Sequence, residues 1–416
     1  MTRVGFKTKL SNVALVVQGQ SPESIYYSDF EGVPFLQGNR TFGILYPSFD
    51  TYTKKVTKLA NKGDVLMSVR APVGDLNFAP CDLCIGRGLA GLKAKTGNNK
   101  FLYYALKYNV GNLLKQGAAT TFDSVNKDTI NDFELIIPED ETHRNAVGSV
   151  LSAIDLKIEI NNRINIELEQ MAKTLYDYWF VQFDFPDENG KHYKTSGGKM
   201  VWNEELKREI PDGWEVDILK NHISIERGIS YSGADLRDVG VPMVNLNSFY
   251  LDGRYKADGI KYYVGSVNPN KVIRPGELII ATTDVTRNAY VIGKSFILPD
   301  LYNSHVIASC DIAKVNIGNK LDKYFLNMLF NSDDYHRYIK GFASGTLVLH
   351  LDTKGIDWYK CLIPPKYLLN KYAELKANID GKKTLTLKEN KKLSELRDWL
   401  LPMLMNGQVK VMELVR

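Results

Sequence analysis

Apolar residues along this chain switch from one spacing to another and then repeat the switch in the same order. Up to about Pro138 they come in short runs, such as residues 13–17 and 65–69, bounded by Gly, Pro, Asn and Asp. Runs of that length between turn formers predict strands. Residues 101–114 have helical spacing rich in Leu and aromatics, so 1–138 reads as a mixed α/β unit. Over 139–183 the spacing becomes 4-3-4: Val147, Leu151, Ile154 and Ile158, then Ile164, Leu168, Met171 and Leu175, with a phase slip around Asn161-Asn162. So narrow a stripe predicts one long helix of coiled-coil type. Pro138 and the acids Glu139-Asp140-Glu141 suit its start, because proline lacks a donor there and acids favour the positive end of the helix dipole. Residues 184–212 lose the period and are rich in Pro, Gly, Lys and Asp, which reads as a linker. Short runs return over 213–364. The 4-3-4 spacing returns over 365–416, with Leu368, Tyr372, Leu375 and Ile379, then Leu393, Leu396 and Leu400. Residues 380–392 between them are polar and include Gly381, which predicts fraying or a break; Pro402 and Gly407 mark the end.

The two halves also share words. Pro34-Phe35-Leu36-Gln37-Gly38-Asn39 returns as Pro242-Met243-Val244-Asn245-Leu246-Asn247, and Gly63-Asp64-Val65-Leu66-Met67 as Gly276-Glu277-Leu278-Ile279-Ile280. Lys100-Phe101-Leu102-Tyr103 returns as Lys323-Tyr324-Phe325-Leu326, and the stretch leading to Ile137-Pro138 as the one leading to Ile363-Pro364. The offsets rise smoothly from 208 to 226 residues, as loop insertions would make them. A repeat at half-length predicts two similar globular α/β domains, each followed by a long helix. Each stripe alone fits a core-facing helix. Two matched stripes predict antiparallel packing as a coiled coil through Val147, Leu151, Ile154, Ile158, Leu168 and Leu175 on one helix and Leu368, Leu375, Ile379, Leu393, Leu396 and Leu400 on the other. A chain of two similar but non-identical units on a helical spacer suits reading two things at a set distance.

Charge refines this. The whole chain carries +5, but residues 1–138 alone carry +5 (16 basic, 11 acidic) and 201–364 carry −1 (19 basic, 20 acidic). The two helical regions have opposite signs, −4 for 139–200 and +5 for 365–416, which favours pairing them. The first unit therefore suits phosphate, whereas the second shows no such bias. With 44% apolar and 24% charged residues, the composition is that of an ordinary soluble protein. No apolar run approaches a membrane span and the N-terminus has no signal-peptide core, so cytoplasm and no membrane partner are expected. Cys81-Asp82-Leu83-Cys84 has no second pair or well-spaced His and reads as reduced thiols rather than a metal site.

A search for catalytic chemistry finds little. There is no glycine-rich cofactor loop with an Asn/Asp-Pro-Pro-aromatic partner, no phosphate-binding loop of the ATPase type, no His-Glu-x-x-His and no nucleophile in a recognisable setting. Pro186-Asp187 with Glu205-Leu206-Lys207 formally matches a nuclease pattern, but sits in linker-like sequence and reads as chance. The chain reads as non-catalytic. What remains is a set of polar, Gly-flanked loops. In the first unit they carry Asn39, Arg40, Ser68, Arg70, Arg87, Thr120 and Thr121, with the basic run Lys54, Lys55 and Lys58. In the second they carry Asn245, Asn247, Thr283, Thr286, Arg287, Ser304, His305 and Thr346. Arg forks suit guanine edges and phosphate, amides suit adenine, and lysines suit phosphate. Each of these residues is equally suited to forming its turn or facing solvent.

The chain resembles the specificity subunit of Type I restriction-modification systems. The likeness is carried by Gly19-Gln20-Ser21-Pro22, Pro34-Phe35-Leu36-Gln37-Gly38-Asn39, Ser68-Val69-Arg70-Ala71-Pro72-Val73-Gly74, Ile85-Gly86-Arg87-Gly88-Leu89, the helix end Lys173-Thr174-Leu175-Tyr176-Asp177-Tyr178-Trp179-Phe180, Glu204-Glu205-Leu206-Lys207-Arg208-Glu209-Ile210-Pro211 and Leu396-Arg397-Asp398-Trp399-Leu400-Leu401-Pro402. It implies target recognition domains at 1–138 and 213–364, each reading one half of a gapped double-stranded DNA site, and conserved helices at 139–183 and 365–416 that set the gap. It further implies that the helices dock two modification (adenine methyltransferase) subunits, joined by restriction subunits. S-adenosylmethionine, ATP and Mg would then be held by those partners, with no cofactor or metal in this chain. The competing reading of the residues is a coiled-coil adaptor with two protein-binding domains, which the −1 charge of the second unit keeps open.

Overall fold

The computed structural model describes residues 5–117, 125–302 and 304–411, without the side chains of 112–117. The chain divides into two compact units, Met1–Arg163 with Glu389–Arg416, and Ile164–Lys388. The boundary cuts both long helices, so each unit contains a stretch of each.

The repeat in the sequence is a repeat of topology. The first unit has an antiparallel pair, Gly5–Lys9 with Glu134–Pro138. It adds a four-stranded sheet in the order Ala14–Gln18, Leu89–Ala94, Val65–Ser68, Leu76–Phe78, and a five-stranded one in the order Tyr27–Ser28, Tyr52–Thr53, Val33–Leu36, Leu83–Ile85, Leu59–Ala60. The second unit repeats all three: Glu215–Ile218 pairs with Lys360–Ile363, Ile223–Arg227, Ile312–Ile317, Leu278–Ala281 and Ser295–Ile297 make four, and Leu236–Arg237, Lys261–Tyr263, Val241–Val244, Val306–Ala308 and Val272–Ile273 make five. Even the single parallel pairing in the five-stranded sheets recurs, Phe35 opposite Cys84 and Met243 opposite Ile307.

Continuous apolar strands follow from burial on both faces. Along Val65–Ser68 successive side chains point to opposite sides. Val65 and Met67 pack with the helix Asn99–Gly117, while Leu66 packs with Leu36, Leu83 and Ile85. Leu278–Ala281 divides in the same way: Leu278 and Ile280 join one cluster, Ile279 and Ala281 another.

The long helices Glu141–Tyr176 and Lys366–Met405 run antiparallel within each unit. In the first, His143 Nε2 meets the Leu404 carbonyl at 2.9 Å, Arg397 donates to Asp155 at 2.7 Å, and Asn161 donates to Asn390 at 2.8 Å. In the second, Thr386 meets Asn165, Lys383 meets Glu169, and Tyr176 packs on Tyr372. One partner's number falls as the other rises.

The seam is more polar than the stripes suggested. Val147, Leu151, Ile158 and Leu368 are buried, and Ile154, Leu168, Leu175, Ile379, Leu393 and Leu400 are partly so. Leu375 and Leu396 are exposed, as are Ile164 and Met171. The residues one step on, Lys376 and Arg397, take the inward places, because each has a carboxylate to neutralise it: Lys376 donates to both oxygens of Asp380 at 2.7 and 2.8 Å, and Arg397 to Asp155. The phase slip at Asn161-Asn162 is a buried amide exchange, with Asn390 donating back to Asn162 at 2.8 Å.

Two further expectations change. The C-terminal helix is unbroken through Gly381 and carries Pro402 inside its last turn. Lys376–Asp380 and Lys383–Asp380 pairs brace the polar stretch around that glycine. Residues 184–212 are folded rather than a free linker. Met200–Asn203 pairs with Arg208–Pro211, and Phe185 stacks between Tyr193 at 4.6 Å and Trp214 at 5.4 Å. Asp184 accepts from the Thr195 backbone at 2.7 Å and its hydroxyl at 2.6 Å. The glycines and prolines there shape tight turns, and the aromatics between them provide the anchors.

Candidate nucleic-acid interface

In the first unit, four Gly-bearing loops are tied into one knot of main chain. Gly19 N–H donates to the Leu89 carbonyl at 2.9 Å, Gln20 to Ile85 at 2.9 Å, Gly86 to Leu36 at 2.8 Å, Gly88 to Gln37 at 3.0 Å and Val69 to Gly88 at 2.9 Å. The glycines are required by closeness. A Cβ on Gly19 would lie 2.1 Å from the Gly86 carbonyl oxygen, and one on Gly88 would lie 2.6 Å from that of Gln37. The stretches around Gly19, Gln37, Arg70 and Arg87 are therefore one local structure, which displays Gln20, Gln37, Arg70 and Arg87 to solvent.

The second unit ties the same knot with other side chains. Gly228 donates to Ile312 at 3.1 Å, Ile229 to Ala308 at 2.8 Å, Ser309 to Val244 at 2.9 Å and Thr282 to Asp311 at 2.9 Å. A Cβ on Gly228 would meet the Ala308 carbonyl oxygen at 2.1 Å. Matching these bonds pairs Gln20 with Ile229, Arg70 with Thr283, Arg87 with Cys310 and Gly88 with Asp311. Thr283 is buried and donates to the Asp311 carbonyl at 3.0 Å and carboxylate at 3.1 Å, whereas Cys310 is exposed. At matched positions the first unit thus offers two guanidiniums and the second none, which is part of the charge difference between the halves.

The remaining candidates divide by burial. Ser68 is buried; its hydroxyl donates to the Pro72 carbonyl at 2.7 Å and accepts from Asp75 N–H at 2.8 Å, so it builds its loop. Asn245 is buried and donates to the carbonyls of Met243 and Gly259 at 3.2 and 2.8 Å, another turn former. Thr286 receives Tyr290 N–H at 3.3 Å. Asn39 is half-buried and donates to Asp75 at 2.6 Å. Arg40, Lys54, Lys55, Lys58, Arg70, Arg87, Asn247, Arg287, Ser304, His305 and Thr346 are exposed. Thr120 and Thr121 lie outside the described residues.

Several exposed cations are already engaged. Arg40 pairs with Asp50 at 2.6 Å, Lys54 with Glu31 at 2.7 Å, and Lys55 with Glu23 at 3.7 Å. The hydrogen bond from Arg40 holds the Asp50 carboxyl below the usual range, and that from Lys54 does the same for Glu31. Solvent-exposed pairs of this kind contribute little to stability, so a phosphate can exchange into them readily. Arg70, Arg87 and Arg287 make no ion pair among the described residues, which leaves their forks available.

Sequence reading had passed over Gln20 and its partner Ile229 as site residues. The signal was present as a further repeated word, Gly19-Gln20-Ser21 and Gly228-Ile229-Ser230.

Residues 7–170 match the Type I restriction modification DNA specificity domain. A Methanocaldococcus jannaschii protein ascribed to the MjaX type I restriction enzyme as its specificity subunit is 40% identical over 163 residues, 38% of either chain. The specificity subunit of the MjaIX enzyme from the same organism is 28% identical over 369 residues, covering 85% of this chain and 79% of the relative. That of the HindI enzyme of Haemophilus influenzae is 24% identical over 341 residues, 71% of this chain and 73% of the relative. The crystal structure of a Type I S subunit from M. genitalium has the same fold, with a TM-score of 0.57 at 15% identity over 97% of this chain and 96% of that one. The chain thus carries the specificity-domain signature over residues 7–170 and is similar over most of its length to specificity subunits of Type I restriction enzymes. Among the described residues no helix is long and apolar enough to cross a membrane.

Proposed function

We propose that this chain selects the DNA sequence on which a Type I restriction-modification complex acts, and that its two units read the two halves of an asymmetric, gapped site. The supporting observation is the knot shared by the units: one backbone arrangement exposes Gln20, Arg70 and Arg87 in the first, whereas at the matching positions of the second Cys310 is exposed, Ile229 half-buried and Thr283 buried. A common frame with different exposed chemistry suits readers of different sequences. Arg forks favour guanine edges and phosphate, and neutral side chains favour other edges. The paired helices suit a spacer that sets the gap and a platform for two modification subunits.

In this reading the chain itself is non-catalytic and works in the cytoplasm. The modification subunits bind S-adenosylmethionine and methylate an adenine in each half-site, which requires flipping the base from the stack. Restriction subunits, where present, add ATP- and Mg-dependent translocation and cleavage. The test is methylome sequencing of a host expressing the chain with its modification subunit. N6-methyladenine in a two-part motif with one fixed gap, lost on deleting the chain, is the expected result. Unchanged methylation beside a demonstrably active modification subunit would overturn it.

A further inference from the structure

The second unit carries a small sheet beside its knot. Thr283–Asp284 pairs with Leu349–Leu351, which pairs with Ala343–Ser344; Thr283 and Ser344 both face His350. The sheet is tied to the knot, since Leu351 N–H donates to the Thr282 carbonyl at 2.9 Å and Thr282 donates on to Asp311. One end of it presents large aliphatic side chains to solvent. Leu347 is 85% exposed at the hairpin tip and Val285 66% exposed on the neighbouring loop. The ladder ends with Asp284 opposite Leu349, so Val285 and Val348 leave the sheet at the same end.

These side chains are held in place. Gly345 has φ +141°, and a Cβ there would lie 2.0 Å from the Val348 carbonyl oxygen, so the tip is a tight turn only glycine can make. Asp284 is buried, and its two oxygens accept from Thr286 N–H and Val291 N–H at 2.7 Å each, which fixes the loop displaying Val285 and Arg287. Single exposed apolar residues are ordinary. Three clustered on one braced edge, rimmed by Ser344, Thr346, His350 and Arg287, are arranged for contact. The occupant follows from continuity and from charge. The edge adjoins the knot, and the loop that displays Val285 also carries exposed Arg287, whose fork, without an ion pair among the described residues, suits a backbone phosphate beside it.

We propose that Leu347, supported by Val285 and Val348, enters a groove of the DNA half-site read by the second unit and packs against the bases there as an apolar wedge. This rests on the DNA-reading function above. Such wedges add contact and widen or kink a base step without neutralising phosphate. They therefore weaken binding when removed without changing its dependence on salt.

The test uses the full chain assembled with its modification subunit and a duplex bearing the methylated motif, titrated at several salt concentrations. Leu347→Ala should weaken binding roughly tenfold with an unchanged salt slope. Arg287→Ala should instead reduce the slope by about one phosphate contact. With 2-aminopurine placed along the second half-site, the wild-type complex should brighten at one step and the Leu347→Ala complex should not. Binding within twofold of wild type would overturn the proposal. So would loss of assembly with the modification subunit on size exclusion, which would make this edge a protein contact. A wild-type complex without salt-dependent duplex binding would instead sink the DNA-reading function itself, and the wedge with it.

Discussion

Replacing Asp155 with alanine should be the most damaging small change to the first unit. Its carboxylate is 1% exposed and accepts from Arg397 Nη1 and from the Tyr104 hydroxyl, each at 2.7 Å. Arg397 is 14% exposed and Tyr104 fully buried. Burial and the Asp155 charge together raise the Tyr104 hydroxyl pKa, so it stays a donor at any ordinary pH. Removing the acid leaves a mostly buried guanidinium and an unsatisfied hydroxyl. Breaking a buried pair costs about 3–5 kcal/mol, and an orphaned buried hydroxyl about 1–3 kcal/mol. Arg397 retains the exposed Asp398 at 2.8 Å, which offsets part of the first cost. We therefore expect a loss of about 3–4 kcal/mol, a large share of the roughly 5–15 kcal/mol that holds a typical domain folded. Residues 389–405 should lose hydrogen-exchange protection in native conditions, and the first unit should unfold at lower urea. Asp155→Leu with Arg397→Met should recover the part of the loss that comes from the stranded guanidinium, and leave the part that comes from the unsatisfied Tyr104 hydroxyl. A cost below 1 kcal/mol for Asp155→Ala, with unchanged exchange in the C-terminal helix, would refute the idea that this pair clamps the helices.

Other expectations are quicker to check. Replacing Arg40, Arg70 and Arg87 together with alanine should impair methylation at one half-site only; equal loss at both would make them folding or assembly residues. Deleting one heptad from each long helix should shorten the gap in the methylated motif or abolish activity, and an unchanged gap would remove the spacer role. Burial, with help from the Lys294 charge, pushes His336 down to about 4, and it also faces Lys340 and Asp284. Its folded pKa thus lies below the unfolded value of about 6.5, so its contribution is present above about pH 6.5 and lost as pH falls toward 4. The urea midpoint of the second unit should drop across that window, and by less in His336→Gln; equal drops would refute the assignment.

Much of this protein follows from linear sequence because its constraints are local or repeated. Strand runs such as 65–69 need only short-range alternation between turn formers. The two long helices declare themselves by a 4-3-4 spacing that few other structures produce. The half-length repeat carries the topology twice, and the words around Gly19, Arg70 and Arg87 mark one knot because only glycine permits such close backbones. Tertiary structure decided what depends on partners distant in the chain. It set the helix seam one residue from the apolar stripe at Lys376 and Arg397, because a charge can be buried only where its counter-ion waits, and Asp155 lies 242 residues from Arg397. It turned Ser68, Asn245 and Thr283 from candidate contacts into turn builders, because their donors were taken by nearby carbonyls. It made 184–212 part of a core through Phe185 and Trp214, aromatics that composition had hidden among glycines. Periodicity reports which face of an element turns inward, but the partner it meets there is chosen only when the chain folds back on itself.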